Sequence, residues 1–258
     1  MKQSSPVDIV GVYADYTKEL QEENRNKRYK GKEHYYHASG AGSCSRKLYF
    51  ESVLRAEPSN PIDEKSLRLL RLGTLVHNDF EEALLKYNTK VYNKVDSNIG
   101  NNTKDNIVFH TEGEIIIDDL NVRGFYDIVV DDDRGVEPKV YLYDLKTCAA
   151  YSWKVKFGRN KTLDTSNHYE LQLGTYGYAI REKFGRLDGM FLYYYNKDNS
   201  QMRPVSVPLM YVEQAYTYWK NVNEEHKNGL PEFRLGISPA QKWQCNYCQF
   251  KDHCNPPQ

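Results

Sequence analysis

Hydrophobic positions recur along the chain with two different periods. Ile9, Val10, Tyr13, Tyr16 and Leu20 return every three or four residues, which predicts a helix. A basic run of Arg25, Lys27, Arg28, Lys30 and Lys32, then Gly40-Ala41-Gly42, interrupts that pattern, and Ser43 is placed to cap a helix beginning near Cys44. Beyond Pro58 and Pro61, the segment 62–87 predicts a long helix with Leu67, Leu70, Val76, Phe80 and Leu84 on one apolar stripe and His77 riding on it. Strand-like runs follow at 107–117, 122–130 and 140–147, the first two separated by an Asp118-Asp119-Leu120-Asn121 turn. A helix is expected over 166–184, strands over 189–195 and 205–209, and a last helix over 211–228. That order of helix, three strands, helix and strand predicts an α/β fold with a central mixed sheet flanked by helices.

Length and composition narrow the class. Nothing in the 258 residues reads as an interdomain linker, so one domain is expected: an N-terminal helical segment over 1–61, a core over 62–209 and a C-terminal helix with a cysteine-rich tail over 210–258. With 27% charged residues and no apolar run of about eighteen residues, no membrane-spanning helix is expected. The N-terminal MKQSSPVDIV lacks the pattern of a secretory signal, so cytoplasmic residence and reduced thiols are expected. Net charge is zero, which by itself argues against a strong phosphate-binding field. The distribution says more: a second basic run, Lys154, Lys156, Arg159 and Lys161, follows a strongly acidic stretch from Glu112 to Asp133. A basic flank beside an acidic pocket suits a protein that holds both phosphate and divalent metal, although solvated charge runs are common. Twenty-two tyrosines add aromatic faces on which bases could stack, with most of them expected in packing.

Candidate chemistry centres on Asp144 and Lys146, two apart on a predicted strand and therefore on one face, with Leu145 turned to the opposite layer. Asp127, near the end of the preceding strand, can bring a second carboxylate alongside. Two carboxylates and a backbone carbonyl, that of Leu145, suit a hard divalent ion, and Lys146 could orient a water or offset charge on a phosphate. An Asp-x-Lys pair alone is more often an ordinary surface feature, and a single histidine such as His77 is more often structural. Gln172 and Tyr176, at i and i+4, share a helix face. At the tail, Cys245-x2-Cys248-x5-Cys254 has a distant companion in Cys44, and clustered thiols in a reducing compartment read as ligands of zinc or an iron–sulfur cluster.

Together Gly73-x3-His77, Gly124-Phe125-Tyr126-Asp127, Asp144-Leu145-Lys146, Gln172-x3-Tyr176 and the four cysteines resemble the RecB-like PD-(D/E)xK nucleases with C-terminal iron–sulfur cysteines, including the CRISPR-associated adaptation exonuclease family and its stand-alone phage relatives. The likeness extends over roughly residues 40 to 255, with Asp144 where those enzymes usually carry Glu. It implies a restriction-endonuclease-like core, a metal-dependent exonuclease acting on single-stranded DNA or DNA ends, and a place in recombination, repair or CRISPR adaptation with a protein partner there. It further implies that His77, Asp127, Asp144 and Leu145 hold Mg2+ or Mn2+, with Glu81 the next candidate one helical turn beyond His77. Lys146 would assist the attacking water. Gln172, Tyr176, Lys154, Lys156 and Arg159 would meet substrate, and Cys44, Cys245, Cys248 and Cys254 would hold a [4Fe-4S] cluster. A non-catalytic DNA-binding or assembly subunit with the same fold is the alternative, and the intact Asp127, Asp144 and Lys146 argue against it. No phosphate-binding loop of a helicase motor occurs.

Overall fold

A computed structural model describes residues 7–29, 35–97, 107–158, 167–238 and 241–254. Lys30, Lys32, Arg159 and Lys161 of the two basic runs lie outside the described residues. The elements in chain order are α1 (Ile9–Tyr29), β1 (Tyr36–His37), α2 (Ser45–Leu48), α3 (Glu64–Ser97), β2 (Ile107–Ile117), β3 (Val122–Asp132), β4 (Lys139–Cys148), α4 (Ala150–Phe157), α5 (His168–Phe184), β5 (Gly189–Asn196), β6 (Met202–Val207), α6 (Met210–Lys227), α7 (Lys242–Asn246) and α8 (Lys251–Cys254).

The sheet is mixed, as the element order predicts. Its path is β1-β3-β4-β5-β6, with β2 also paired to β3. β2 with β3, β3 with β4, and β5 with β6 run antiparallel, whereas β4 and β5 are parallel. The parallel pair requires a crossover, and α4 and α5 supply it. Along β4, Val140, Leu142 and Asp144 are buried at every second position, so the row that fixes the strand's inward face ends in a carboxylate. α5 lies over the sheet and buries Leu171, Leu173, Tyr176 and Ile180. α6 packs on α5, and its Trp219, fully buried, donates Nε1–H to Thr175 Oγ1 at 2.9 Å. Among the described residues no helix is long and apolar enough to cross a membrane.

Several local expectations change. α1 runs on through Arg25 and Lys27 to Tyr29, and its apolar stripe is not its packed face: Ile9 and Val10 are each 70% exposed while Ala14 and Thr17 are buried. α1 is in contact with α3. α3 extends past 87 to Ser97, and Leu70 on its stripe is exposed. Ser43 does not cap α2; Cys44 occupies the N-cap, without a side-chain hydrogen bond. β1 and α4 were not legible as periodic segments.

Candidate active site and cysteine centre

Two strands that part create the site. The β3–β4 ladder runs as far as Ile128 opposite Tyr143, and Asp127 and Asp144 are next in that register, where the pairing stops. The Leu145 amide, no longer used by the ladder, donates to Asp127 Oδ2 at 2.6 Å. On the other side of β3, Thr111 pairs with Ile128 and Gly113 with Tyr126, which sets Glu112 across from Asp127. Glu112 takes a left-handed backbone conformation, φ 49°. That region costs a non-glycine residue about 1–3 kcal/mol and is concentrated at functional sites.

α3 brings the third ligand candidate. His77 Nδ1 lies 3.6 Å from Asp127 Oδ2, and ligand atoms of His77, Glu112 and Asp127 all fall within 4.8 Å of one another. Gly73 allows this approach one turn earlier, since a methyl group there would sit 3.0 Å from Thr147 Oγ1 at the end of β4. Glu81 lines the same small cavity with Leu145, and accepts from Thr111 Oγ1 at 3.3 Å.

Asp144 and Lys146 form a buried ion pair behind this trio, Nζ to Oδ2 at 2.6 Å, with Asp144 only 1% exposed. Among the described residues, Asp144 Oδ2 accepts no well-directed hydrogen bond besides that ionic contact. Gln172 bridges the pair: Lys146 Nζ donates to its Oε1 at 3.0 Å, and its Nε2 reaches Asp144 Oδ1 at 3.4 Å and the Tyr176 hydroxyl oxygen at 3.2 Å. Gln172 and Tyr176 are therefore buried supports of the pair. Lys146 also lies over the Tyr169 ring, 4.7 Å from its centroid.

The electrostatics follow from crowding acids into a half-buried space. Burial, then the Asp144 charge, pushes the Asp127 carboxyl well above its ordinary value, against the opposing pull of Lys146 and the Leu145 amide. Loss of solvent, followed by the charges of Glu81 and Asp144, also raises Glu112. Burial lowers His77, which leaves the imidazole neutral and able to ligate at neutral pH. Burial pulls Lys146 down, but Asp144 and Asp127 outweigh it and hold the ammonium charged. Lys146 is thus a fixed cation rather than a base. Raised carboxyls, a neutral imidazole and an underused Asp144 oxygen fit a divalent cation with a mixed oxygen and nitrogen shell.

Glu112 is the site residue that sequence reasoning did not single out. Only its membership of the acidic 112–133 stretch pointed to it. Of the basic run, Lys154 is exposed, and Lys156 pairs with Glu170 at 3.5 Å and lies 5.0 Å from the Tyr194 ring centroid.

At the far end, Cys44, Cys245, Cys248 and Cys254 line one cavity with Phe50 and Arg46. All four are free thiols and half-buried. Arg46 Nε donates to Cys254 Sγ at 3.2 Å and the Phe250 amide to Cys248 Sγ at 3.4 Å. Burial raises the Cys248 thiol, with Cys44 and Cys245 close enough to add to the shift and Lys47 opposing it. Gly236 leaves room for a sulfur, as a methyl there would lie 2.0 Å from Cys245 Sγ. The two chain regions are also stitched by polar bonds: Asn60 Nδ2 donates to the Cys248 carbonyl at 3.1 Å, and the Asn60 amide to Gln249 at 3.0 Å. Cys148 stands apart, half-buried against the core.

The sequence profile of the PD-(D/E)XK nuclease superfamily matches residues 97–255. No curated protein matches the chain. Among solved structures, the crystal structure of SSO0001 is similar at a TM-score of 0.51 and 18% identity, covering 96% of each chain, a likeness of fold. An alkaline exonuclease (LHK-Exo) from Laribacter hongkongensis aligns at a TM-score of 0.42 and 13% identity, over 81% of this chain and 94% of its own.

Proposed function

This chain belongs to the PD-(D/E)XK nuclease superfamily, and we propose that it is a divalent-metal-dependent DNA exonuclease acting on single strands or DNA ends. The observation that carries the reading is the meeting of His77, Glu112 and Asp127 within 4.8 Å beside the buried Asp144–Lys146 pair. His77, Glu112 and Asp127 would hold the ion, with Asp144 Oδ2 and the Leu145 carbonyl completing the set. Their hard oxygens and one imidazole suit Mg2+ or Mn2+. When bound, such an ion supplies Lewis-acid stabilisation of phosphate charge and a more acidic water.

The remaining work falls to side chains of this protein. Lys146, held cationic by two carboxylates, stabilises negative charge gathering on the scissile phosphate and orients the attacking water. Gln172 fixes the Asp144 and Lys146 side chains at both ends of its amide, and Tyr176 anchors Gln172 from below. They position the pair, and through it the substrate. The basic run that includes Lys154 and Lys156, and Arg159, would draw in the phosphate backbone.

The four cysteines would hold a [4Fe-4S] cluster. Four thiols that line one cavity could also take zinc, and the x5 gap to Cys254 with the distant Cys44 before Arg46 favours the cluster. The motif resemblance supports a cytoplasmic role in recombination, repair or CRISPR adaptation.

The test is digestion of end-labelled linear DNA beside circular single-stranded DNA, with Mg2+, Mn2+ or a chelator. Loss of linear substrate with either ion, sparing of the circle and silence under chelation are expected. Digestion unaffected by chelation would refute the metal site.

A further inference from the structure

A groove of about 670 Å³ opens from Lys146 toward the cysteine-bearing tail. One wall is α4 and the end of β4. The other carries Trp243 of α7 and Tyr247, which flank Cys245 and precede Cys248. Three large rings on its walls are presented to solvent: Tyr151 and Tyr247 are each 80% exposed and Trp243 is 46% exposed. Lys146, Lys156 and Lys197 are among its lining residues, and among the described residues none of the lining side chains is acidic, with Glu170 standing behind Lys156 at 3.5 Å. The contrast with the acid-lined cavity at His77 and Asp127 is sharp, although the two take neighbouring residues of β4, Leu145 in the cavity and Lys146 in the groove.

We propose that this groove is the path of single-stranded DNA into the active site, with Tyr151, Trp243 and Tyr247 stacking on bases while Lys156 and Lys197 follow the phosphates. The inference rests on the nuclease reading and adds to it the strandedness of the substrate. Exposed rings beside lysines match what unpaired nucleotides recognise, and a phosphate would share Lys156 with Glu170. In a duplex the base faces are already stacked on one another and cannot meet these rings. The phosphate leaving the groove arrives at Lys146, the cation that faces the site of cleavage. The tail therefore contributes half of the substrate path, so whatever holds the four cysteines together also holds Trp243 and Tyr247 in place.

The test uses the cluster-bearing full chain carrying Asp144→Ala, which stops cleavage. Binding of labelled oligo(dT), of an oligomer of abasic sites with the same number of phosphates, and of a duplex is measured by fluorescence anisotropy. Oligo(dT) should bind most tightly. Tyr151→Ala, Trp243→Ala and Tyr247→Ala should each weaken oligo(dT) by about five- to a hundredfold and leave the abasic oligomer unchanged, because only bases stack. Tyr151 lies outside the cysteine segment, so its effect cannot be routed through the thiols. Equal loss for oligo(dT) and the abasic chain, no loss for either, or a preference for duplex would overturn the groove while wild-type digestion of DNA still upheld the nuclease. A wild type that digests no DNA would overturn the nuclease reading and this inference with it.

Discussion

Glu112 of β2 sits opposite Asp127 of β3, in a left-handed backbone conformation, with their carboxylates in one cluster with His77. Strain and like-charge crowding meet at that point, and the fold retains both. A divalent ion would relieve the second, which is why the arrangement reads as a binding site and not as a defect. Glu112→Gly removes the backbone cost and the charge together. The expected result is a rise in the Tm of metal-free protein by about 2–4 °C with at least about tenfold weaker Mn2+ binding. Calorimetry with and without metal checks both.

Asp127 gives a pH signature. Its folded-state carboxyl titrates well above the ordinary 3.8 because of burial and Asp144. A raised carboxyl contributes stability that is fully present below about pH 3.8, and is lost as pH rises through the folded-state value. Metal-free wild type should therefore lose that contribution progressively as pH rises above about 3.8. Asp127→Asn, which still accepts from the Leu145 amide, should be the more stable protein at pH 7, by about 0.5–2 kcal/mol. The gap should close on acidification. Denaturation across pH in chelator measures it, and a variant less stable than wild type at pH 7 would contradict this electrostatic account.

What the sequence made legible followed the strength of local periodicity. β2, β3, β4, α5 and α6 all carry long runs with clean turns, and the Asp144–Lys146 alternation put both side chains on one face of β4 before any contact was known. Glu112 was hidden because it lies inside a strand pattern, Ile107 to Ile117, where nothing marks a left-handed residue. α1 misled differently: Ile9, Val10, Tyr13 and Tyr16 are exposed while the small Ala14 and Thr17 are buried, so the most hydrophobic stripe is not the packed face. β1 is two residues long, too short for any periodic signal. The convergence of Cys44 with the tail was legible through the cysteine motif and not through periodicity, whereas contacts that secure it, such as Asn60 to Cys248, are encoded by no local pattern.

Lys146→Ala should separate stability from catalysis poorly, and for a physical reason. Removing the ammonium leaves Asp144, 1% exposed, as an unpaired buried acid. A loss of about 3–5 kcal/mol in metal-free stability is expected, with divalent metal restoring part of it by replacing the lost charge. Urea denaturation with and without Mn2+ resolves the two terms, and an unchanged midpoint would show that the pair is not buried as described.

Cys44→Ala tests the cysteine centre. The remaining thiols should fail to retain a full cluster, so visible absorbance and iron content should fall together in anaerobically purified protein. The Asn60 contacts to the tail remain, so the fold need not be lost outright. Stoichiometric zinc with no iron in the wild type would replace the cluster with a zinc site.

The most direct test of the whole account is digestion of end-labelled single-stranded DNA with Mn2+ by wild type and by Asp144→Ala, both carrying equal iron. The account predicts metal-dependent shortening by the wild type and none by the variant, a fall of at least about a thousandfold. Digestion by Asp144→Ala at the wild-type rate, in protein cleared of contaminating nuclease, would contradict it.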